Sequence, residues 1–111
     1  MGIGVDIVSV DRIIKILSQW EDKFLNRIFS KEELGIAERK KGKAYYQHIA
    51  GRFAAKEAVL KLFDGGISFK DISIVRDPSG RPFAYVKGFS CKIDVSISHT
   101  DDYAVAVAMR K

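Results

Sequence analysis

The sequence predicts an α+β fold, a small single domain over residues 1–111 in which a long central helix packs on an antiparallel sheet. Three observations predict it. Helical and strand-like segments succeed one another with no internal repeat, low-complexity tract or linker long enough to part domains. One long helical stretch, from about Tyr45 to Phe63, runs to Gly65 and Gly66, which supply the left-handed stop a helix end often uses. Beyond it, two pairs of short β-rich runs are each joined by turn-forming residues.

In chain order, Ile3 to Val10 is short and β-branched, which suits a buried strand. Ser9 followed by Asp11 then offers capping chemistry for a helix. That helix is expected over Asp11 to Gln19, with Ile13, Ile14, Ile16 and Leu17 inside and Arg12, Lys15 and Gln19 outside. Ser30 and Glu33 stand at capping-box spacing and predict a short second helix. The charged run 38–43 reads as a solvated connection broken at Gly42, before the long third helix.

SFKDISIV and PFAYV flank the turn formers Asp77, Pro78 and Gly80 and predict a hairpin. DVSIS and YAVAVAM, joined by HTDD, predict another. In the last strand Ala104, Ala106 and Ala108 share one face and Val105, Val107 and Met109 the other. The alanine face leaves room for close packing, by a helix of the same chain before a second subunit.

Composition bounds the function. With 111 residues, 47% of them apolar, there is enough for one core. A formal charge of +5 favours anionic partners without choosing among nucleic acid, acidic protein, nucleotide or membrane surface. The single cysteine, Cys91, permits no intrachain disulfide. The start MGIGVDIVSVDR lacks the basic leader and unbroken apolar run of a signal peptide, and no stretch approaches the roughly 20 apolar residues of a membrane span. These features lead to the expectation of a reduced cytoplasm.

Two acids stand out. Projected at about 100° per residue, Glu57 falls between Phe53 and Ala50 on an arc that faces the core. A carboxylate there shifts its pKa upward or needs a cation. Lys61, one turn on, is one partner, and a plain Glu-to-Lys helix pair is the alternative reading. Asp6 interrupts the apolar strand of Ile3, Val5, Ile7 and Val8. A hard divalent cation such as magnesium explains both acids, since it commonly takes one or two carboxylates with water and phosphate oxygens. Arg52 and Lys56, like charges four residues apart, suit a phosphate if they are not merely solvated. Carboxylates for a metal beside cations for phosphates are the parts of phosphate-transfer chemistry.

The blocks GIGVDIVSVDRI, FSKEEL, AGRFAAKEAVLKLF, FKDISI and VSISHTDDYAVAVA resemble, in order and spacing, those of the holo-acyl-carrier-protein synthase family of 4'-phosphopantetheinyl transferases. The resemblance implies that family's fold and its reaction for fatty acid biosynthesis. The phosphopantetheine arm of coenzyme A passes to a serine of apo acyl carrier protein, with release of adenosine 3',5'-bisphosphate.

It further implies that Asp6 and Glu57 hold magnesium, with Lys61 bridging phosphate and Glu57; the base for the carrier serine is Glu57, directly or through a metal-bound water, or else a water held elsewhere. Coenzyme A would be held by Arg52, Lys56, Lys61, Gly65, His99, Thr100 and Lys43. Arg12, Lys23 and Arg27 would meet the acidic carrier protein, and active sites would lie at the junctions of a homotrimer, with neither nucleic acid nor membrane as partner. Lys41, Lys43, Tyr45 and Tyr46 form a basic, aromatic cluster suited to the 3'-phosphate and adenine, with Lys41 read as solvated.

One departure is the short passage from Asp64, Gly65 and Gly66 into ISFKD, where the family commonly carries a longer glycine-rich loop. Three rivals remain. A small basic nucleic-acid module accounts for the charge and for the tyrosines among lysines, yet leaves Asp6 and Glu57 unexplained. An inactive structural homologue would keep the fold alone. A thiol nucleophile built from Cys91 and His99 lacks a third orienting group.

Overall fold

The computed structural model describes residues 2–110. Strand β1 (Gly2–Ser9) leads into helix α1 (Val10–Ile28), then α2 (Lys31–Ala37) and α3 (Lys43–Leu60). A single helical turn at Phe69–Asp71 precedes β2 (Ile72–Arg76), β3 (Pro82–Val86), β4 (Ile93–His99) and β5 (Tyr103–Arg110). The five strands form one antiparallel sheet in the order β1-β5-β4-β3-β2, as the α+β pattern predicts. FKDISI divides between the helical turn and β2, so only its second half is strand.

Both helix starts follow the predicted chemistry. The Ser9 hydroxyl accepts from the Arg12 backbone N–H at 3.2 Å, and Ser30 and Glu33 form the reciprocal capping box. α1 runs well past the expected end at Gln19, and the expected end coincides with a kink at Trp20, whose φ of −137° and ψ of 31° are not helical. Helix resumes because Leu25 and Ile28 are buried and the Phe24 ring packs 5.4 Å from that of Phe53.

β1 corrects the expectation of a fully buried strand. Its even-numbered side chains turn towards the helices, whereas Ile3, Val5 and Ile7 lie on the other face, each more than half exposed. The helices cover only one face of the sheet. Ala104, Ala106 and Ala108 lie on that covered face, fully buried, with α3 packed against β5 and β1. A helix of the same chain therefore occupies the alanine face. The approach is close: a Cβ on Gly4 would come within 2.1 Å of the Ala58 carbonyl oxygen, so only glycine lets β1 and α3 meet there. Gly51 faces Ile97 less tightly: a Cβ there would lie 3.1 Å from Ile97 Cγ2.

α3 is buried on nearly every side because α1 and α2 cover what the sheet does not. The consequence is sharpest at Lys56, which is fully buried. Its ammonium donates to Glu33 Oε1 at 2.7 Å, to the Ile28 carbonyl at 2.9 Å and to the Phe69 carbonyl at 3.3 Å. Burial pushes the Lys56 ammonium down from its usual range, and the Glu33 carboxylate opposes that shift. Glu33 also accepts from the Ser30 N–H, and through Oε2 from the Ile74 N–H.

Lys56→Met leaves the Glu33 carboxylate semi-buried without its cation and is expected to cost about 3–5 kcal/mol, read as a lowered urea midpoint. Adding Glu33→Gln to it recovers part of the loss. A single-variant loss below about 1 kcal/mol would class the pair with surface ion pairs.

Candidate active site

The first group of candidate residues converges where β1 crosses α3. Asp6 lies on the helix-facing side of β1 with its side chain 19% exposed, and Lys61 caps the end of α3. The Lys61 ammonium donates to the Val5 carbonyl at 2.6 Å and to Asp6 Oδ1 at 3.3 Å. Glu57, half-buried one turn earlier, has its pKa raised by desolvation and then by the Asp6 charge, against the pull of Lys61 and Arg12. The close crossing at Gly4 brings these acids together.

The one ammonium here contacts Asp6 and a backbone carbonyl, and it acts on Glu57 only through its charge. The charge of the two carboxylates is under-compensated, which fits one hard divalent cation. Among the described residues no three His, Cys, Asp or Glu side chains gather into a metal cluster. A pair of carboxylates suits magnesium, which commonly takes one or two and completes its shell with water and phosphate oxygens.

A second group lines a cleft of about 670 Å³ beside the amino-terminal half of α3. Lys40, His48, Arg52, Arg76, Arg81 and His99 contribute its cationic or titratable groups, and Asp94 is the one carboxylate among the lining residues. The cleft follows a free strand edge. β3 pairs with β4 only through Phe83 with Asp94 and Ala84 with Ile93, so among the described residues β4 from Val95 to His99 has no paired strand on that side.

Arg52 is lowered to about 10, first by burial and then by Arg76. His48 is lowered to about 4 by burial and by Arg52, Lys40 and Arg76, so its ring is neutral at pH 7. Half-buried cations that repel one another favour an oxyanion in their midst.

The two groups lie on opposite sides of one helix. At about 100° per residue, His48 and Arg52 point away from Glu57 and Lys61. Lys56 shares the Arg52 side, but it is not the solvent-facing phosphate cation that the spacing suggests. Its ammonium already serves three acceptors deep in the fold, which corrects that expectation. The partner that buries it, Glu33, is 23 residues away in sequence.

The other candidates scatter. His99 lines the large cleft, and Thr100 shapes the turn after it by accepting the N–H groups of Asp102 and Tyr103 on its hydroxyl. Lys43 pairs with Asp101 at 3.9 Å, tying the start of α3 to that turn. Gly65 lines neither this cleft nor a smaller neighbouring one, and it has a positive φ of 108° just beyond α3. Cys91 lies outside both clefts as well.

Arg12, Lys23 and Arg27 are exposed along α1, with Lys23 Nζ 5.6 Å from the centre of the Trp20 ring. Sequence reasoning missed His48, Arg76 and Arg81. The first stands one helical turn before Arg52, and the other two bracket the DPSG turn, spacings that carry no signal until the hairpin folds against α3.

The chain is similar to known proteins over nearly its whole length. A family model described as the 4'-phosphopantetheinyl transferase superfamily matches residues 2–108. A holo-(acyl-carrier-protein) synthase from Geobacillus sp. is 44% identical over 110 residues, covering 96% of this chain and 92% of the relative. Among solved structures, the holo-(acyl-carrier-protein) synthase of Bacillus anthracis in complex with CoA (3',5'-ADP) is 40% identical with a TM-score of 0.83, covering 96% of this chain and 92% of that one. The Helicobacter pylori enzyme in complex with coenzyme A is 35% identical with a TM-score of 0.81, covering 96% and 97%.

The depressed His48 pKa has a measurable sign. The unfolded chain binds a proton at His48 near pH 6.5 while the folded chain resists it down to about pH 4, so its contribution to stability is present above 6.5 and is lost as pH falls through that window. His48→Gln removes the term. Its urea midpoint is expected to fall less steeply than the wild type's between those pH values, and parallel profiles would refute the assignment.

Proposed function

The chain belongs to the 4'-phosphopantetheinyl transferase superfamily, and on that premise we propose that it is a magnesium-dependent holo-(acyl-carrier-protein) synthase acting in fatty acid biosynthesis in the cytoplasm. The convergence of Asp6, Glu57 and Lys61 carries the reading, because two half-buried acids beside one lysine have no use in a merely basic binding module.

In the reaction the serine oxygen of the apo carrier protein attacks the pantetheine-side phosphorus of the coenzyme A pyrophosphate. The phosphorus–oxygen bond to the nucleotide half breaks, and adenosine 3',5'-bisphosphate leaves. The serine proton is taken up by Glu57, directly or through a water that it orients. Lys61 steadies the Asp6 carboxylate and offers its remaining ammonium proton to a phosphate oxygen. Asp6 and Glu57 are the residues that would hold magnesium, which when bound neutralises charge on the reacting phosphate and the leaving group.

Arg52 and His99, with the newly seen His48 and Arg76, serve the nucleotide phosphates, while Lys43, Thr100 and Gly65 contribute from the surrounding turns. The two half-sites occupy opposite faces of α3, so one copy's acid pair works with another copy's cleft. That arrangement supports a homotrimer with sites at subunit junctions. The open sheet face of Ile3, Val5, Ile7 and Val107 is the apolar surface such an assembly would cover. Arg12, Lys23 and Arg27 present positive charge along α1 to the acidic carrier.

Incubation with coenzyme A, magnesium and apo carrier protein is expected to add the mass of one phosphopantetheine arm to the carrier, and no transfer by folded protein would overturn the reading. In the same assay, reversing Arg12 and Arg27 to Glu is expected to raise the carrier KM by about tenfold or more while the coenzyme A KM stays within about twofold, and equal rises would dismiss the carrier assignment. Asp6→Asn and Arg52→Gln are each expected to be inactive alone, yet to regain activity when co-expressed. Persistent inactivity of the mixture would return the whole site to a single chain.

A further inference from the structure

A second, smaller cleft of about 310 Å³ lies between α2, the first half of α3 and β2. Its floor is apolar, built from Phe29, Ala37, Ile49 and Ile74, and its rim carries Ile36 and Val75, which are 52% and 37% exposed. One end is closed by His48, Arg52 and Arg76, the same residues that line the large cleft. Among the described residues neither arginine has a carboxylate partner. Arg76 spends one guanidinium N–H on the Gly80 carbonyl. Glu33, the acid nearest to hand, is committed to Lys56, Ser30 and Ile74. Glu32, on α2, is the only other carboxylate of the lining.

We propose that this cleft is a binding site for a small amphipathic carboxylate, an alkyl chain along Ile36, Ile74 and Val75 with its head on Arg52 and Arg76, and that its occupancy opposes phosphate binding in the large cleft. The chemistry selects this occupant on three grounds. The volume is at the small end for ligand pockets, which suits a short hydrocarbon chain with one compact head. The edge of β2 is closed to an added peptide strand at Ile74, because that N–H is held by Glu33 Oε2. Planar guanidinium groups grip carboxylates bidentately, and the apolar floor favours a hydrocarbon over a polar body. The opposition follows from the shared wall, since the same two arginines cannot fully serve both anions.

The test is direct binding to the intact chain, read by calorimetry with decanoate as probe. Saturable binding at one site is expected, weakened at least about tenfold in Ile36→Glu and in Val75→Glu, with decanol failing to bind. Thermal melting establishes that both variants are folded. Saturating decanoate is further expected to weaken the binding of adenosine 3',5'-bisphosphate to the wild type severalfold, with no such effect in Ile36→Glu. No decanoate binding, binding indifferent to both variants, equal binding of decanol, or independent binding of the two anions to the wild type would overturn the proposal. The transferase reading is judged by arm transfer alone, so either conclusion can fail without the other.

Discussion

The buried ammonium of Lys56 is the contact on which the arrangement of the helices depends. A charge taken out of water is tolerated only with a nearby counter-charge and satisfied hydrogen bonds. Lys56 meets that demand by drawing in α2 through Glu33, the end of α1 through the Ile28 carbonyl, and the turn before β2 through the Phe69 carbonyl. Glu33 extends the lock to β2 at Ile74. One side chain thus sets the rotation of α3 relative to four other parts of the chain. With that rotation set, His48 and Arg52 must face the clefts and Glu57 must face β1.

Small residues finish the positioning on the other side of α3. Gly4 and Ala58 bring β1 so near the helix that Asp6 and Glu57 feel each other's charge, and Gly51 lets Ile97 of β4 approach the same helix. The alanines of β5 form the flat floor between them. A larger residue at Gly4 would collide with the Ala58 backbone and open the crossing at which the acids meet. The acid pair is therefore a product of close packing, and the raised Glu57 pKa reflects its burial first and the Asp6 charge second.

The division of charge across α3 connects fold to function. Acids and Lys61 gather on the β1 side, while arginines and histidines gather on the hairpin side. A phosphate-transfer reaction needs both sets around one substrate. The apolar face of β1 and β5 is left open by the helices, and it is the surface through which the proposed assembly would bring unlike halves together. His48, Arg52 and Arg76 form a wall common to the two clefts.

Much of this was legible in the residues. The α+β class, the two hairpins, the Ser9 and Ser30 caps and the anomaly of acids at Asp6 and Glu57 are local statements, because periodicity, turn chemistry and a charge in an apolar run are all visible within a few residues. The burial of Lys56 was not legible. Seen beside Arg52 it looked like an outer cation, since its partner Glu33 lies on another helix. The second half of α1 was hidden for a related reason: Trp20 breaks the helix, and only packing on Phe53 and the core restores it. His48, Arg76 and Arg81 became one group only when a hairpin folded against α3. The sequence by itself determined which elements form and which charges are out of place. The tertiary structure decided which charges meet, because contact between distant residues depends on the rotation and spacing of whole elements, and no local pattern encodes those.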